Sequence, residues 1–284
     1  MDAAREDEGS TMDWRDYYLR EVCPRLDTPL AQKYPQVSLL GGDGFRPLGE
    51  QALLMLVALT GTGKSTTLER LRARLGGAGL DVIPTRRELA DWIAIPMAQA
   101  LADEPIVKVR DRALRFTFTR RFAEQVPGGL ATAFSWLYLA DDFDGLPLSE
   151  GIRGGNEIRY ALDHFPQWQI VELTLPPLTR LRRLSGRRDD FDRAGGRSDL
   201  AFLPHQLRRE AAALVKAGEI TAAALAIVEA EAANYGFESF ADGAAYPNYH
   251  RFEVEERSPD EVAEAIIYVI EVAARGPNAK DRSD

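Results

Sequence analysis

The strongest constraint on the fold lies in residues 52–75, where an apolar segment, a glycine-containing turn and an amphipathic segment follow one another. Residues 52–59 are almost continuously apolar, which is typical of a parallel strand buried on both faces. After Gly61 and Gly63, residues 66–75 place three leucines at helical spacing, and two further glycines end the pattern. A buried strand joined by a short turn to a helix is the basic unit of a parallel α/β sheet.

The turn itself has the composition of a phosphate-binding loop. Residues 58–65 (ALTGTGKS) fit the Walker A pattern, except that Ala58 replaces the usual first glycine. Glycines let consecutive N–H groups face phosphate oxygens, and the positive end of the following helix attracts the same anion. Lys64 is expected to reach the β- and γ-phosphates of ATP, and the Ser65 hydroxyl to ligate Mg²⁺. The predicted nucleotide-binding residues are Thr60, Gly61, Thr62, Gly63, Lys64, Ser65 and Thr66.

Four further apolar segments are predicted to be strands of the same sheet: 80–84, 146–149, 169–175 and 249–254. Segments with helical spacing separate most of them, and residues 88–140 are expected to be mostly helical. We therefore expect an α/β protein with the three-layer P-loop NTPase fold and a mostly parallel five-stranded sheet.

The chain is expected to form one principal domain, at residues 46–275, with an extension at each end. Residues 1–45 are predicted to be partly disordered with one helix, and residues 276–284 to be a disordered tail. Within the domain, the sequence predicts an arginine-rich lid at about 183–198 and a helical insertion at about 200–240.

Composition limits the classes of partner and of metal site. The net charge of −9 argues against nucleic-acid binding, which usually needs a basic surface. A single cysteine and three separated histidines disfavour a Cys/His metal site. The chain has no apolar run of about 20 residues, and its charged start is unlike a signal peptide. We expect a cytoplasmic protein with a small-molecule partner and no membrane partner; the oligomeric state is open, with a homodimer as one option.

An acid is expected beside the phosphate loop. Glu150 follows the predicted strand at 146–149, where a carboxylate would act as a base or ligate Mg²⁺ together with Ser65. Asp141, Asp142 and Asp144 are competing candidates, and Glu150 could instead cap a helix.

Arginines in three places are candidates for substrate contacts. Arg153 follows Glu150 and could hold an anionic acceptor, and Arg86 and Arg87 follow the predicted strand at 80–84. Two arginines in a charged turn are also common without any such role. Six aromatic residues could line an acceptor pocket, although this spacing is more typical of a core: Phe116, Phe118, Phe122, Phe134, Trp136 and Tyr138.

The runs PLSEGIRGGNEIRYAL and IVELTLPPLTRLRRLSGRRDDFD, with the phosphate loop, resemble the small P-loop kinases. This group includes adenylate kinase, dephospho-CoA kinase and the deoxynucleoside monophosphate kinases. The resemblance covers about 52–90, 144–195 and 249–274. It implies that lid arginines close over the phosphates and stabilise the transferring group, here Arg183, Arg187 and Arg188. It also implies that an arginine after the second strand clamps the acceptor's phosphate, as in thymidylate kinases.

The resemblance predicts an ATP- and Mg²⁺-dependent phosphotransferase acting on a small acceptor, most simply a nucleotide or nucleoside. The N-terminal extension and the 200–240 region depart from the pattern and leave the acceptor open. One alternative is a P-loop NTPase switch, which needs a water-positioning glutamine or a second acid in an apolar strand; neither is evident. The other is a catalytically silent nucleotide-binding regulatory protein.

Overall fold

The computed structural model describes residues 12–27, 30–76, 82–186, 200–235, 240, 243 and 245–275. The strands are β1 (Val37–Ser38), β2 (Phe45–Pro47), β3 (Leu53–Ala58), β4 (Tyr138–Ala140), β5 (Leu148–Ser149), β6 (Trp168–Thr174) and β7 (Tyr249–Glu253). The α-helices are α1 (Trp14–Tyr17), α2 (Leu30–Lys33), α3 (Lys64–Leu75), α4 (Arg86–Leu89), α5 (Ile95–Leu101), α6 (Arg112–Gln125), α7 (Leu130–Ser135), α8 (Gly154–His164), α9 (Pro177–Ser185), α10 (His205–Lys216), α11 (Ala222–Tyr235) and α12 (Pro259–Arg275). The π-helical segments Tyr18–Val22 and Ala90–Ala94 continue α1 and α4.

The main sheet has four parallel strands in the order β5-β3-β6-β7. All six residues of β3 are buried, because side chains that alternate along this strand enter apolar clusters on opposite faces. Helices α3 and α12 cover one face, and α5 to α8 contribute to the cluster on the other. The protein is therefore a mixed α/β structure with a parallel sheet between helices, as the sequence predicts.

The prediction of a strand at 80–84 is wrong at residues 82–84. Residues 82–84 form bends and irregular structure, while 80 and 81 lie outside the described residues. Thr85 caps α4 at this point, since its side chain and that of Glu88 form a capping box. The chain thus enters a helix directly, and Ile83 packs into the core without pairing to the sheet.

A second sheet was not predicted. Strands β1, β4 and β2 form a three-stranded antiparallel sheet in that order, so residues 138–140 lie in a strand rather than a helix. Each strand has two or three residues, which is too short for a periodic sequence signal. Because Tyr18 and Val22 are also fully buried in the main core, part of the predicted N-terminal extension packs on the domain.

Helices α9, α10 and α11 enclose an apolar cluster of their own, which includes Leu181, Leu214 and Val228. This helical unit adjoins the loop after β3, where Leu184 contacts Gly61. Residues 187–198 of the predicted lid, the predicted tail at 276–284 and residues 1–11 lie outside the described residues. Among the helices that are described, none combines the length and the apolar character needed to span a membrane.

Candidate functional site

Residues 59–63, which we call the phosphate loop after the role predicted from the sequence, connect β3 to α3 in a tight turn. Gly61 and Gly63 both have φ of +97°, a conformation that residues with a Cβ atom rarely adopt. A Cβ at Gly61 would also lie 3.0 Å from Cγ of Leu184, so a larger residue there would have to displace that side chain. Thr62 is buried, and its Oγ1 donates a 2.8 Å hydrogen bond to the carbonyl of Leu59. The loop shape therefore depends on glycine at two positions.

Lys64 is the first residue of α3, and its Nζ forms an ion pair with Oε2 of Glu150. Glu150 follows β5, and the carboxylate can reach the loop because β5 pairs in parallel with β3. The Lys64 side chain is 14% exposed. Burial and then the positive charge of Arg153 lower the pKa of Lys64 to about 8, although Glu150 opposes this shift. Lys64 is therefore mostly protonated at neutral pH and titrates at slightly alkaline pH.

The turn after Glu150 is organised by the carboxylate of Glu157. Arg86 donates from Nη1 to Oε2 of Glu157 at 2.6 Å and to the carbonyl of Gly151 at 2.8 Å. Glu157 also accepts hydrogen bonds from the backbone amides of Arg153, at 2.7 Å, and Leu130, at 3.3 Å. These contacts hold α4, α7 and α8 against the turn, and they fix the backbone of Arg153 beside Lys64.

A cavity of about 180 Å³, here called the Arg86 cavity, opens on this side of the site. The guanidinium carbons of Arg86 and Arg153 lie 5.4 Å and 6.0 Å from the centroid of the Tyr235 ring. Nε of Arg153 is buried and has no hydrogen-bond partner among the described residues. Asn156 and Asn234 add amide groups to the lining. The cavity can therefore offer cationic and amide donors to an anionic molecule.

A second cavity, of about 310 Å³, borders the phosphate loop itself and is called the glycine-loop cavity. Its lining includes Gly61, Thr62, Gly63, Thr66, Thr67, Arg183, Val254, Arg257, Pro259 and Val262. Arg183 donates from Nη2 to the carbonyl of Val254 at 3.5 Å, so its guanidinium lies beside another residue of the lining. Two cations and several apolar side chains thus line the same cavity as the loop and the start of α3.

At Thr60, the second residue of the loop, the chain meets a buried ion pair. Nη2 of Arg180 binds Oε2 of Glu231, and Nε of Arg180 donates to the carbonyl of Thr60 at 2.7 Å. Oε1 of Glu231 accepts from both the hydroxyl and the backbone amide of Thr60, the latter at 3.3 Å. Nη1 of Arg153 lies 3.7 Å from the same oxygen. Glu231 is fully buried and Arg180 is 4% exposed, so this set is an internal part of the site.

Most of the predicted site residues lie together around the loop. Ser65 and Thr66 are exposed in the first turn of α3, and Arg183 lines the glycine-loop cavity. Arg87 differs from Arg86, because its side chain is exposed and lines neither of the two cavities. Arg187 and Arg188 lie outside the described residues. Four of the six aromatic residues are core residues: Phe118, Phe122, Phe134 and Trp136.

The donors available for a metal ion are few. In the part of the chain that the structure describes, no group of three or more His, Cys, Asp and Glu side chains could hold one. Magnesium sites often use only one or two protein oxygens, with phosphate and water completing the shell. The Ser65 hydroxyl and the Glu150 carboxylate are the oxygen donors predicted from the sequence, and this small set suits Mg²⁺ only in the presence of a phosphate ligand.

Several residues of the site could not be identified from the sequence alone. Arg180, Glu157, Glu231 and Tyr235 reach the loop or the Arg86 cavity from helices that are distant in the chain. One signal was available for Glu231, which is a charged residue within the apolar, alanine-rich stretch of α11. No protein-family model matches this chain, and no curated protein matches it significantly.

Proposed function

We propose that this protein is an ATP-dependent phosphotransferase with the P-loop NTPase fold, resembling the small P-loop kinases. The observation that carries the proposal is the ion pair between Lys64, the first residue of α3, and Glu150, close to the charges of Arg153 and Arg86. Lys64 begins the helix that borders the glycine-loop cavity, and the charges of Arg153 and Arg86, which line the other cavity, act on its pKa. A reaction that joins two phosphate-bearing or hydroxyl-bearing substrates needs such an arrangement.

ATP is proposed to bind in the glycine-loop cavity. Backbone amides of residues 60–66, the N-terminus of α3 and the Lys64 ammonium would contact the phosphates. Val254 and Val262 offer an apolar surface for the base, and Arg257 a cation beside it. Ser65 and Glu150 would hold Mg²⁺, which neutralises charge on the phosphates when bound.

The acceptor is proposed to bind in the Arg86 cavity, and a nucleotide or nucleoside fits its chemistry. Arg153 supplies a guanidinium group whose Nε has no partner among the described residues, while Tyr235, Asn156 and Asn234 supply ring and amide contacts. Arg86 is already paired with Glu157, so its main effect is to hold the cavity wall and to add positive charge. Arg87 lies outside this cavity and receives no role in the proposal.

In the proposed reaction, an acceptor oxygen attacks the γ-phosphorus of ATP and the bond to the β,γ-bridging oxygen breaks, releasing ADP. If the acceptor is a hydroxyl, its proton passes to the Glu150 carboxylate; a phosphate acceptor needs no such transfer. Lys64, Arg153 and Arg183 would stabilise the negative charge on the transferring group. Glu150 must therefore release Lys64 before or as ATP binds.

A coupled assay of ADP release tests this function. Purified protein is given Mg-ATP with each of a panel of nucleosides, nucleoside monophosphates and dephospho-CoA. We expect one acceptor class to stimulate ADP release, and Lys64→Ala to abolish both stimulation and ATP binding. Lys216→Ala is the matched control, because Lys216 is exposed at the end of α10. Unchanged ATP affinity in Lys64→Ala would refute the proposal.

The same assay separates the alternatives. Slow hydrolysis without acceptor stimulation would indicate an NTPase switch, and a tight ATP complex without turnover would indicate a regulatory protein. We also propose that the enzyme acts in the cytoplasm, where ATP is available. A homodimer is one option for its oligomeric state.

A further inference from the structure

We infer that Glu231 is a positioning residue that holds the phosphate loop and orients Arg153 toward the acceptor. This inference rests on the proposed function and extends it to a part of the chain that the small-kinase resemblance does not cover. The residues concerned are Thr60, Arg180 and Glu231, which we call the Glu231 clamp.

The contacts give Glu231 three partners on three different segments. One carboxylate oxygen binds Arg180 on α9, and the other accepts the amide and hydroxyl hydrogens of Thr60. That second oxygen also lies 3.7 Å from Nη1 of Arg153, which leads into α8. One carboxylate therefore joins the phosphate loop to the wall of the Arg86 cavity.

Burial explains why these contacts can fix the loop. Glu231 has no exposed surface, and breaking one of its charged contacts would leave Arg180 without a counter-charge in the interior. Arg180 additionally holds the carbonyl of Thr60 at 2.7 Å, so both polar backbone groups of this residue are engaged. Thr60 is thus held by side chains of α9 and α11, whereas Lys64, which follows the loop at the start of α3, can exchange Glu150 for phosphate.

The cluster of α9, α10 and α11 gives the clamp a rigid base. Leu181 and Leu184 flank Arg180 on α9, and Ile227 and Val228 precede Glu231 on α11; all four are buried in the same apolar cluster. Packing of this kind restricts the rotamers of the charged residues between them. The helical region after residue 200 therefore supports the phosphate loop.

Hydrogen exchange on the ligand-free protein tests the clamp without any assumption about ATP. In Glu231→Gln, which keeps the size of the side chain, we expect the amides of residues 59–64 to exchange about tenfold faster. Glu219→Gln is the matched control, since Glu219 pairs with Arg182 on the same α9 helix but both side chains are about half exposed. In this control, loop exchange is expected to stay within about twofold of wild type.

Enzyme kinetics then test the catalytic part of the inference. With the acceptor found in the assay above, Glu231→Gln should lower kcat about tenfold or more. Glu219→Gln should leave kcat unchanged. If Glu231→Gln does not fold, Thr60→Val removes the hydroxyl contact without leaving a buried charge, and it should show both effects in weaker form.

Wild-type loop exchange in a folded Glu231→Gln protein would overturn the inference, as would wild-type values in Thr60→Val if only that variant folds. Faster exchange with unchanged kcat would overturn the catalytic part. Absence of ATP binding in the wild-type protein would instead overturn the proposed function. The hydrogen-exchange result would still test whether Glu231 holds the loop.

Discussion

Two ion pairs flank the phosphate loop, and they differ in their exposure to water. The Lys64 and Glu150 side chains are 14% and 31% exposed, whereas those of Arg180 and Glu231 are 5% and 0% exposed. Water can screen a charge that loses its partner in the first pair, but not in the second. Under the proposed function, the first pair would open for an incoming phosphate, while the second pair would hold the loop in shape.

The largest expected effect is on stability. Glu231→Ala should lower the free energy of unfolding by about 3–5 kcal/mol, because it leaves Arg180 buried and unpaired. Glu150→Ala should cost about 1 kcal/mol or less, since Glu150 is partly exposed and Lys64 can release its proton. Urea denaturation of both variants measures the difference. Equal losses of unfolding free energy in the two variants would contradict the distinction between the fixed Arg180–Glu231 pair and the exchangeable Lys64–Glu150 pair.

A second prediction concerns catalysis at the exchangeable pair. If the acceptor is a hydroxyl, Glu150→Gln should lower kcat about 100-fold or more, because the general base is lost. The same variant should bind Mg²⁺-free ATP more tightly than wild type, since no carboxylate competes with phosphate for Lys64. Steady-state kinetics and calorimetry provide the two values. Weaker binding of metal-free ATP in the variant would show that Glu150 does not compete for Lys64.

The pH dependence of ATP binding follows from the lowered pKa of Lys64, which is about 8. In the proposed complex the protonated form of Lys64 contacts phosphate, so the dissociation constant of ATP should rise as pH increases through this value, by up to about tenfold per unit. Lys64→Arg stays charged over this range and should show little change between pH 7.5 and pH 9 by the same reasoning. Parallel pH profiles in the two proteins would exclude Lys64 as the titrating group.

The smallest expected effect distinguishes the two glycines of the loop. Alanine at Gly63 has open space around it, so the cost should be the strain of a positive φ, about 1 kcal/mol. Alanine at Gly61 would in addition lie 3.0 Å from Leu184 and 3.3 Å from Cγ of Arg180, so it should be more destabilising and should disturb the Glu231 clamp. Thermal unfolding of the two variants ranks them, and the reverse order would argue against a close contact at Gly61.

Local parts of the architecture were predictable from the sequence. The parallel α/β class, β3, α3 and α12 follow from hydrophobic periodicity and from capping residues close to one another in the chain. The expected strand at 80–84 was wrong at 82–84, where the capping box at Thr85 begins a helix. Strands β1, β2 and β4 were missed, because pairs this short are stabilised by distant partners and not by their own pattern.

The candidate site divides in the same way. Lys64, Glu150 and the loop glycines could be selected from the sequence, since motif spacing and strand order bring them to one edge of the sheet. Arg86 and Arg87 are adjacent in sequence, and the packing against Glu157 determines that Arg86, and not Arg87, lines the Arg86 cavity.

By itself, then, the sequence determined a strand, a glycine turn and a lysine at the start of a helix, because all of these are properties of neighbouring residues. The tertiary structure decided which distant charges surround that lysine. Glu231 meets Thr60 across 171 positions of the chain, and such a contact depends on how α9 and α11 pack together. Burial then makes the contact strong, and burial is a property of the folded chain.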